Sequence, residues 1–144
     1  MKIFCSCIFI VLFAVPGVSG QVKLLGKQNV IRKTAHPMLT DQIKNQTIKK
    51  AIDALQNADK TAWFALFTAD AKLYDDGNEV DFKPFFEKAI GHERFTVIDR
   101  VEDGGLAIYG KFHSDQWGDF KTYFRFQLDE KGKISRLNIG QANY

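Results

Sequence analysis

From Thr40 onward the apolar residues recur every three or four positions. Ile43, Ile48, Ala51, Ile52, Leu55 and Ala58 form the stripe of an amphipathic helix, with Thr40 or Asp41 available to cap it. Asp59 is positioned to cap a short second helix through Trp63, Phe64, Leu66 and Phe67. Ala71 to Asp75 reads as a strand stopped by Asp76-Gly77-Asn78. Asp81 opens a third helix carrying Phe82, Phe85, Phe86, Ala89 and Ile90. Pro84 fits there because the first helical turn has N–H groups without intrahelical partners.

After Gly91 the period falls to two. Arg94 to Val101, Leu106 to Ser114, Phe120 to Leu128 and Ile134 to Ala142 read as four strands. The segments Glu102-Asp103-Gly104-Gly105, Gln116-Trp117-Gly118-Asp119 and Asp129-Glu130-Lys131-Gly132 separate them as hairpin turns. Helices followed by an antiparallel meander predict an α+β domain with its helices on one face of the sheet. Phe120, Thr122, Phe124, Phe126 and Leu128 share the side that meets the helices, while Lys121, Tyr123, Arg125 and Gln127 share the other. In the neighbouring strand Leu106, Ile108 and Phe112 oppose Tyr109, Lys111 and His113.

The first residues follow a different pattern. Lys2 precedes an apolar run from Ile3 to Val15, Pro16-Gly17 breaks it, and Val18-Ser19-Gly20 supplies modest side chains before Gln21. This is the layout of a cleaved secretory signal. About thirteen apolar residues fall short of the roughly twenty that cross a bilayer. The expected organisation is therefore a signal peptide over 1–20, a flexible arm over 21–39 and one domain over 40–144. The product would be exported, to a bacterial periplasm or the extracellular space, with no membrane association after cleavage.

Both cysteines, Cys5 and Cys7, lie in the signal, so the mature domain relies on its apolar core. The formal charge of +3, reduced to +2 without Lys2, is interspersed and offers no nucleic-acid stripe. His36, His92 and His113 show no metal-ligand spacing, and no phosphate loop or nucleophile elbow occurs. No cofactor is expected. Asn45-Gln46-Thr47 fits the N-glycosylation pattern, which matters only in a eukaryotic host.

Ala65-Leu66-Phe67, Asp70-Ala71, Tyr74-Asp75 and Tyr123-Phe124-Arg125-Phe126 are short pieces that together persuade by their spacing. With the order helix, helix, strand, helix and four-strand meander, Asp41 to Asn143 resembles the nuclear transport factor 2-like superfamily. That superfamily includes the SnoaL-like cyclases and the ketosteroid isomerases. The resemblance implies a cystatin-like cone: three N-terminal helices in the concave face of a strongly curved, mainly antiparallel sheet. Its open end would be a pocket for a small hydrophobic molecule. Many such proteins pair through the outer sheet face, which implies a homodimer through Tyr109, Lys111, Tyr123 and Arg125.

The isomerase branch needs a carboxylate base and two oxyanion donors, a tyrosine and a neutral carboxylic acid. Carried over by position, the base is Asp75, while the tyrosine falls on Ala51 and the acid on Thr122. One part of three remains, and losing one oxyanion donor costs on the order of 100- to 1000-fold in rate.

The remaining site residues each carry two readings. Asp75 is a pocket base or a turn residue before Asp76-Gly77. Asp99 shares the parity of Phe95, Val97 and Val101, which makes it either a second inward carboxylate or a residue at a strand end bending into solvent or paired with a nearby Arg. Thr122 faces inward as a ligand partner or a tolerated polar residue. Trp63, Phe67, Phe86 and Phe124 line the pocket or fill the core. The leading expectation is a non-enzymatic domain that binds a small hydrophobic ligand or a partner protein. The alternatives are a SnoaL-like or isomerase-type enzyme with Asp75 as general base, and a structural dimerisation module.

Overall fold

The computed structural model describes residues 37–144. The signal segment, and the expected arm up to His36, lie outside the described residues. Among the described residues no helix is long and apolar enough to cross a membrane.

A four-residue helix α1 (Pro37–Thr40) precedes α2 (Gln46–Gln56), whose N-cap is Asn45 rather than Thr40 or Asp41. The Asn45 carboxamide oxygen accepts from the N–H groups of Thr47 at 3.0 Å and Ile48 at 3.2 Å. Thr40 is occupied otherwise: its hydroxyl donates to Asp53 Oδ1 and accepts from Lys49 Nζ, both at 2.7 Å. Ile43 is buried in the loop ahead of the helix, and Ile48, Ala51, Ile52 and Leu55 form the buried stripe of α2. Asp59 caps α3 (Lys60–Ala65) by accepting from Ala62 N–H at 2.9 Å. Asp81 stands at the N-cap of α4 (Phe82–Ala89) without a side-chain capping bond.

The strands are β1 (Phe67–Asp75), β2 (Asn78–Val80), β3 (Glu93–Glu102), β4 (Ala107–Ser114), β5 (Gly118–Leu128) and β6 (Ile134–Gln141). They form one sheet in the order β2-β1-β6-β5-β4-β3, antiparallel except where β1 runs parallel to β6. The short strand β2 is not marked by the sequence pattern. Asp76 and Gly77 both take positive φ, 46° and 86°, and close a two-residue hairpin that pairs Asp75 with Asn78.

Strict alternation fails in β3. Phe95 pairs with Phe112 but Val97 with Lys111, and Ile98 pairs with Gly110 but Arg100 with Tyr109. Thr96 and Asp99 are thus the extra residues of two bulges, each of which bends the strand and resets its parity. Phe95 and Ile98 are buried, whereas Val97 is 40% exposed. Gly110 makes the first crossing possible, since a Cβ there would lie 2.0 Å from the Val97 carbonyl oxygen.

The apolar sides of α2, α3 and α4 and of the sheet share one core. Its densest part is aromatic: Trp63 stands 4.6 Å from Phe86 and 4.9 Å from Phe67, which stands 4.5 Å from Phe82. Such tilted pairs contribute about 0.5–1.5 kcal/mol each beyond the area they bury.

Candidate functional site

Helices α2 and α4 and the sheet leave a cavity of about 440 Å³. Leu55, Phe86, Phe112, Phe120, Phe124 and Ile139 supply its apolar wall, from α2, α4 and three strands. The polar side is acidic. Asp75 at the end of β1, Asp76 in the hairpin and Glu93 at the start of β3 all line it, and no Lys, Arg or His does among the described residues. A wider, shallower groove of about 670 Å³ shares Phe85, Glu93 and Trp117 with this cavity and extends past Lys88, His92 and Asp115.

Each acid has its own setting. Asp76 Oδ1 accepts from the Gln141 N–H at 3.0 Å, which fixes the hairpin to β6. Burial pushes the Asp75 carboxyl above the usual carboxylate range, and the negative charge of Asp76 adds to that. Burial does the same to Glu93; the Ser114 hydroxyl opposes it, and the charge of Asp75 reinforces it. Ser114 is fully buried and joins several parts of the rim. Its hydroxyl donates to Glu93 Oε1 at 3.0 Å and accepts from the N–H groups of Gln116 and Trp117, both at 3.3 Å. Trp117, 72% exposed, is thereby held on a short turn at the mouth of both depressions.

The sequence-predicted residues separate into three groups. Asp75, Phe86, Thr122 and Phe124 line the cavity. Trp63 and Phe67 do not; both are buried in the aromatic core, with the Trp63 indole N–H unpartnered. Asp99 is a correction. The bulges turn it to the opposite face of the sheet, where it is exposed and accepts from the Tyr144 hydroxyl at 2.7 Å. Burial, together with that carboxylate, pushes the Tyr144 phenol up to about 12.

Glu93, Ser114 and Trp117 were not anticipated. Glu93 has the same parity as Phe95, so extending the β3 alternation one step backward finds it. Ser114 ends β4 and Trp117 lies in the turn that follows, so neither carries a periodic signal.

Thr122 is buried, and its hydroxyl donates to the Gly140 carbonyl at 2.7 Å. Its proton is therefore committed, leaving lone pairs for a ligand. Ala51 is a buried methyl group on α2.

On the outer face Tyr109 pairs with Tyr123 and Lys111 with Lys121 across β4 and β5. Arg125 donates to the Tyr109 hydroxyl from Nη2 at 2.8 Å and lies 5.0 Å from the Tyr123 ring centre. Arg100 lies 4.3 Å over Tyr109 and Arg136 lies 4.0 Å over Tyr74, so cations and rings alternate across the sheet. At the cavity end of β4, His113 Nδ1 is 2.6 Å from Asp119 and His92 Nδ1 is 2.9 Å from Asp115.

No family model matches the sequence, and no curated protein matches it. Solved structures do. An NTF2-like protein of unknown function from Cytophaga hutchinsonii aligns with TM-score 0.56 at 12% identity, over 67% of this chain and 87% of that one. A putative ketosteroid isomerase from Kribbella flavida aligns with TM-score 0.56 at 14% identity, over 70% and 78%. The orange carotenoid protein of Anabaena, solved binding canthaxanthin, aligns with TM-score 0.54 at 21% identity. There the match spans 69% of this chain but only 37% of the larger protein. The chain has the cystatin-like, NTF2-like cone fold. At these identities the likeness establishes the fold.

Proposed function

We propose that the protein is an exported domain that binds a small, largely apolar molecule in the cavity between helices α2 and α4 and the sheet. The observation that carries this reading is the cavity itself. At about 440 Å³, it lies in the range of small-molecule sites, with an aromatic wall and a few convergent polar groups. The canthaxanthin held by the Anabaena protein is a precedent for an apolar guest of a protein containing this fold. Export rests on the signal-like segment over 1–20.

Isomerase-type catalysis is disfavoured by the site. Asp75 is present, but the two oxyanion positions hold a methyl group and a hydroxyl whose proton is engaged. The outer face adds a second component to the proposal, a homodimer formed through Lys111, Tyr123 and Arg125; Tyr109, expected on the same face, is a correction, because it is buried against Arg100 and Tyr144 and supports the Arg125 guanidinium instead. Tyrosine and arginine are favoured at such interfaces, and the ring–cation alternation supplies a preordered surface.

The test of ligand binding is titration with the neutral dye Nile red, read by fluorescence enhancement. The wild type should enhance it saturably, and Thr122→Phe, which projects a ring into the cavity, should not, while melting cooperatively. Absence of enhancement with the wild type would remove the reading.

A further inference from the structure

The cavity is asymmetric in charge, and this points to the kind of apolar molecule it takes. Asp75 and Glu93 lie on its wall, and neither has a cationic side chain within ion-pair distance among the described residues. Their neighbours in the cavity are another carboxylate, Asp76, and aromatic rings. In the adjoining groove, Asp81 and Asp115 face Lys88 and His92, and His92 is already engaged by Asp115 at 2.9 Å. Three carboxylates elsewhere on this protein do have a cation: Glu79 takes Lys72 at 2.6 Å, Glu102 takes Arg100 at 2.9 Å and Glu87 takes Lys60 at 3.5 Å.

An unpaired carboxylate costs most where water is partly excluded, and the cost is recovered when an opposite charge arrives. Resting on the ligand-binding reading above, we infer that the cavity selects an apolar molecule bearing a protonated amine. The ammonium sits between Asp75 and Glu93, and the hydrocarbon or aromatic body lies on Phe86, Phe112, Phe124 and Ile139. Ser114 is a positioning residue here. It orients the Glu93 carboxylate with one bond and holds the Trp117 turn with two others, which keeps that exposed indole among the residues lining the cavity.

The test uses three probes of one skeleton, 4-phenylbutylamine, 4-phenylbutan-1-ol and 4-phenylbutyrate, titrated calorimetrically into the full mature chain at pH 7 and low salt. The expected order is amine, then alcohol, then acid, with the amine ahead of the alcohol by about tenfold or more, the ratio a 1.4 kcal/mol preference gives. Glu93→Gln and Asp75→Asn should each shrink that ratio severalfold. Added salt should weaken the amine and spare the alcohol, a readout that needs no variant to fold. Alcohol binding as tight as the amine's, or an amine affinity indifferent to salt, overturns the inference and leaves apolar binding standing. If neither amine nor alcohol binds, both readings fall.

Discussion

Gly110→Ala tests whether the bulges of β3 are as described, and the sign of the result decides it. In a regular strand the exchange removes chain freedom from the unfolded state and stabilises by about 0.4–1 kcal/mol. Here the new methyl would meet the Val97 carbonyl oxygen at 2.0 Å and the Ile98 Cα at 3.1 Å. The first obstacle is backbone, so relief requires β3 to move away from β4. Overpacking of this kind costs roughly 1–3 kcal/mol, and a main-chain clash belongs near the upper end. Subtracting the unfolded-state gain leaves a net loss of about 2 kcal/mol. A domain of this size loses about 4 °C in Tm per kcal/mol, so thermal unfolding followed by circular dichroism should show a fall of about 8 °C. A variant that melts at or above the wild-type temperature would refute the bulge at Thr96. The outward turn of Asp99 would then lose its explanation.

Two further predictions concern the acids and the outer face. Glu93 is held above its ordinary value in the folded state, so folded protein retains its proton to higher pH than unfolded chain does. Its ionisation therefore opposes folding as pH rises from about 4 through the folded value, and that cost is absent when both states are protonated. Glu93→Gln should gain stability over wild type across that window and keep the gain at neutral pH, in urea melts taken from pH 3 to 8. A difference that shrinks with pH would contradict the assignment. Comparing variant with wild type is necessary because Glu79 and Asp115, both lowered by their cationic partners, slope the other way. For the outer face, sedimentation should find a dimer at micromolar concentration. Arg125→Glu should weaken it at least about tenfold, since rejecting a like-charged or unpaired group at an interface costs several kcal/mol; a monomeric wild type would end that reading.

Much of the fold is legible because it is written in periodicity. Ile48, Ala51, Ile52 and Leu55 announce α2, and the alternation of Thr122, Phe124 and Phe126 gives the inward face of β5. The cap of α2 was placed too early, at Thr40 or Asp41, because both are chemically able to serve. Tertiary contacts with Lys49 and Asp53 engage Thr40, and Asn45 is left to the helix. The bulges at Thr96 and Asp99 were invisible, since no Gly or Pro interrupts β3 and the close approach that Gly110 permits is made from another strand. Half of the site suffered for this. Parity placed Asp75 and Thr122 on the correct side, but in β3 it offered Asp99 where the structure supplies Glu93. Trp63 and Phe86 share the same aromatic cluster, and periodicity alone does not show which of the two also touches the cavity.

The parallel pairing of β1 with β6 has a consequence for how the molecule comes into being. Leu73 lies beside Leu137 and Asp75 beside Ile139, so β6 is the link between the β1–β2 hairpin and the β5-β4-β3 meander. While the ribosome still holds residues 134–141, the two portions of the sheet have no common edge, and the wall that carries Ile139 and Gly140 does not exist. Contacts so distant in sequence form late, because the entropy of a long loop is lost before they reward it. Closure thus waits for β6, and a chain truncated before Ile134 has neither a continuous sheet nor a cavity to fill.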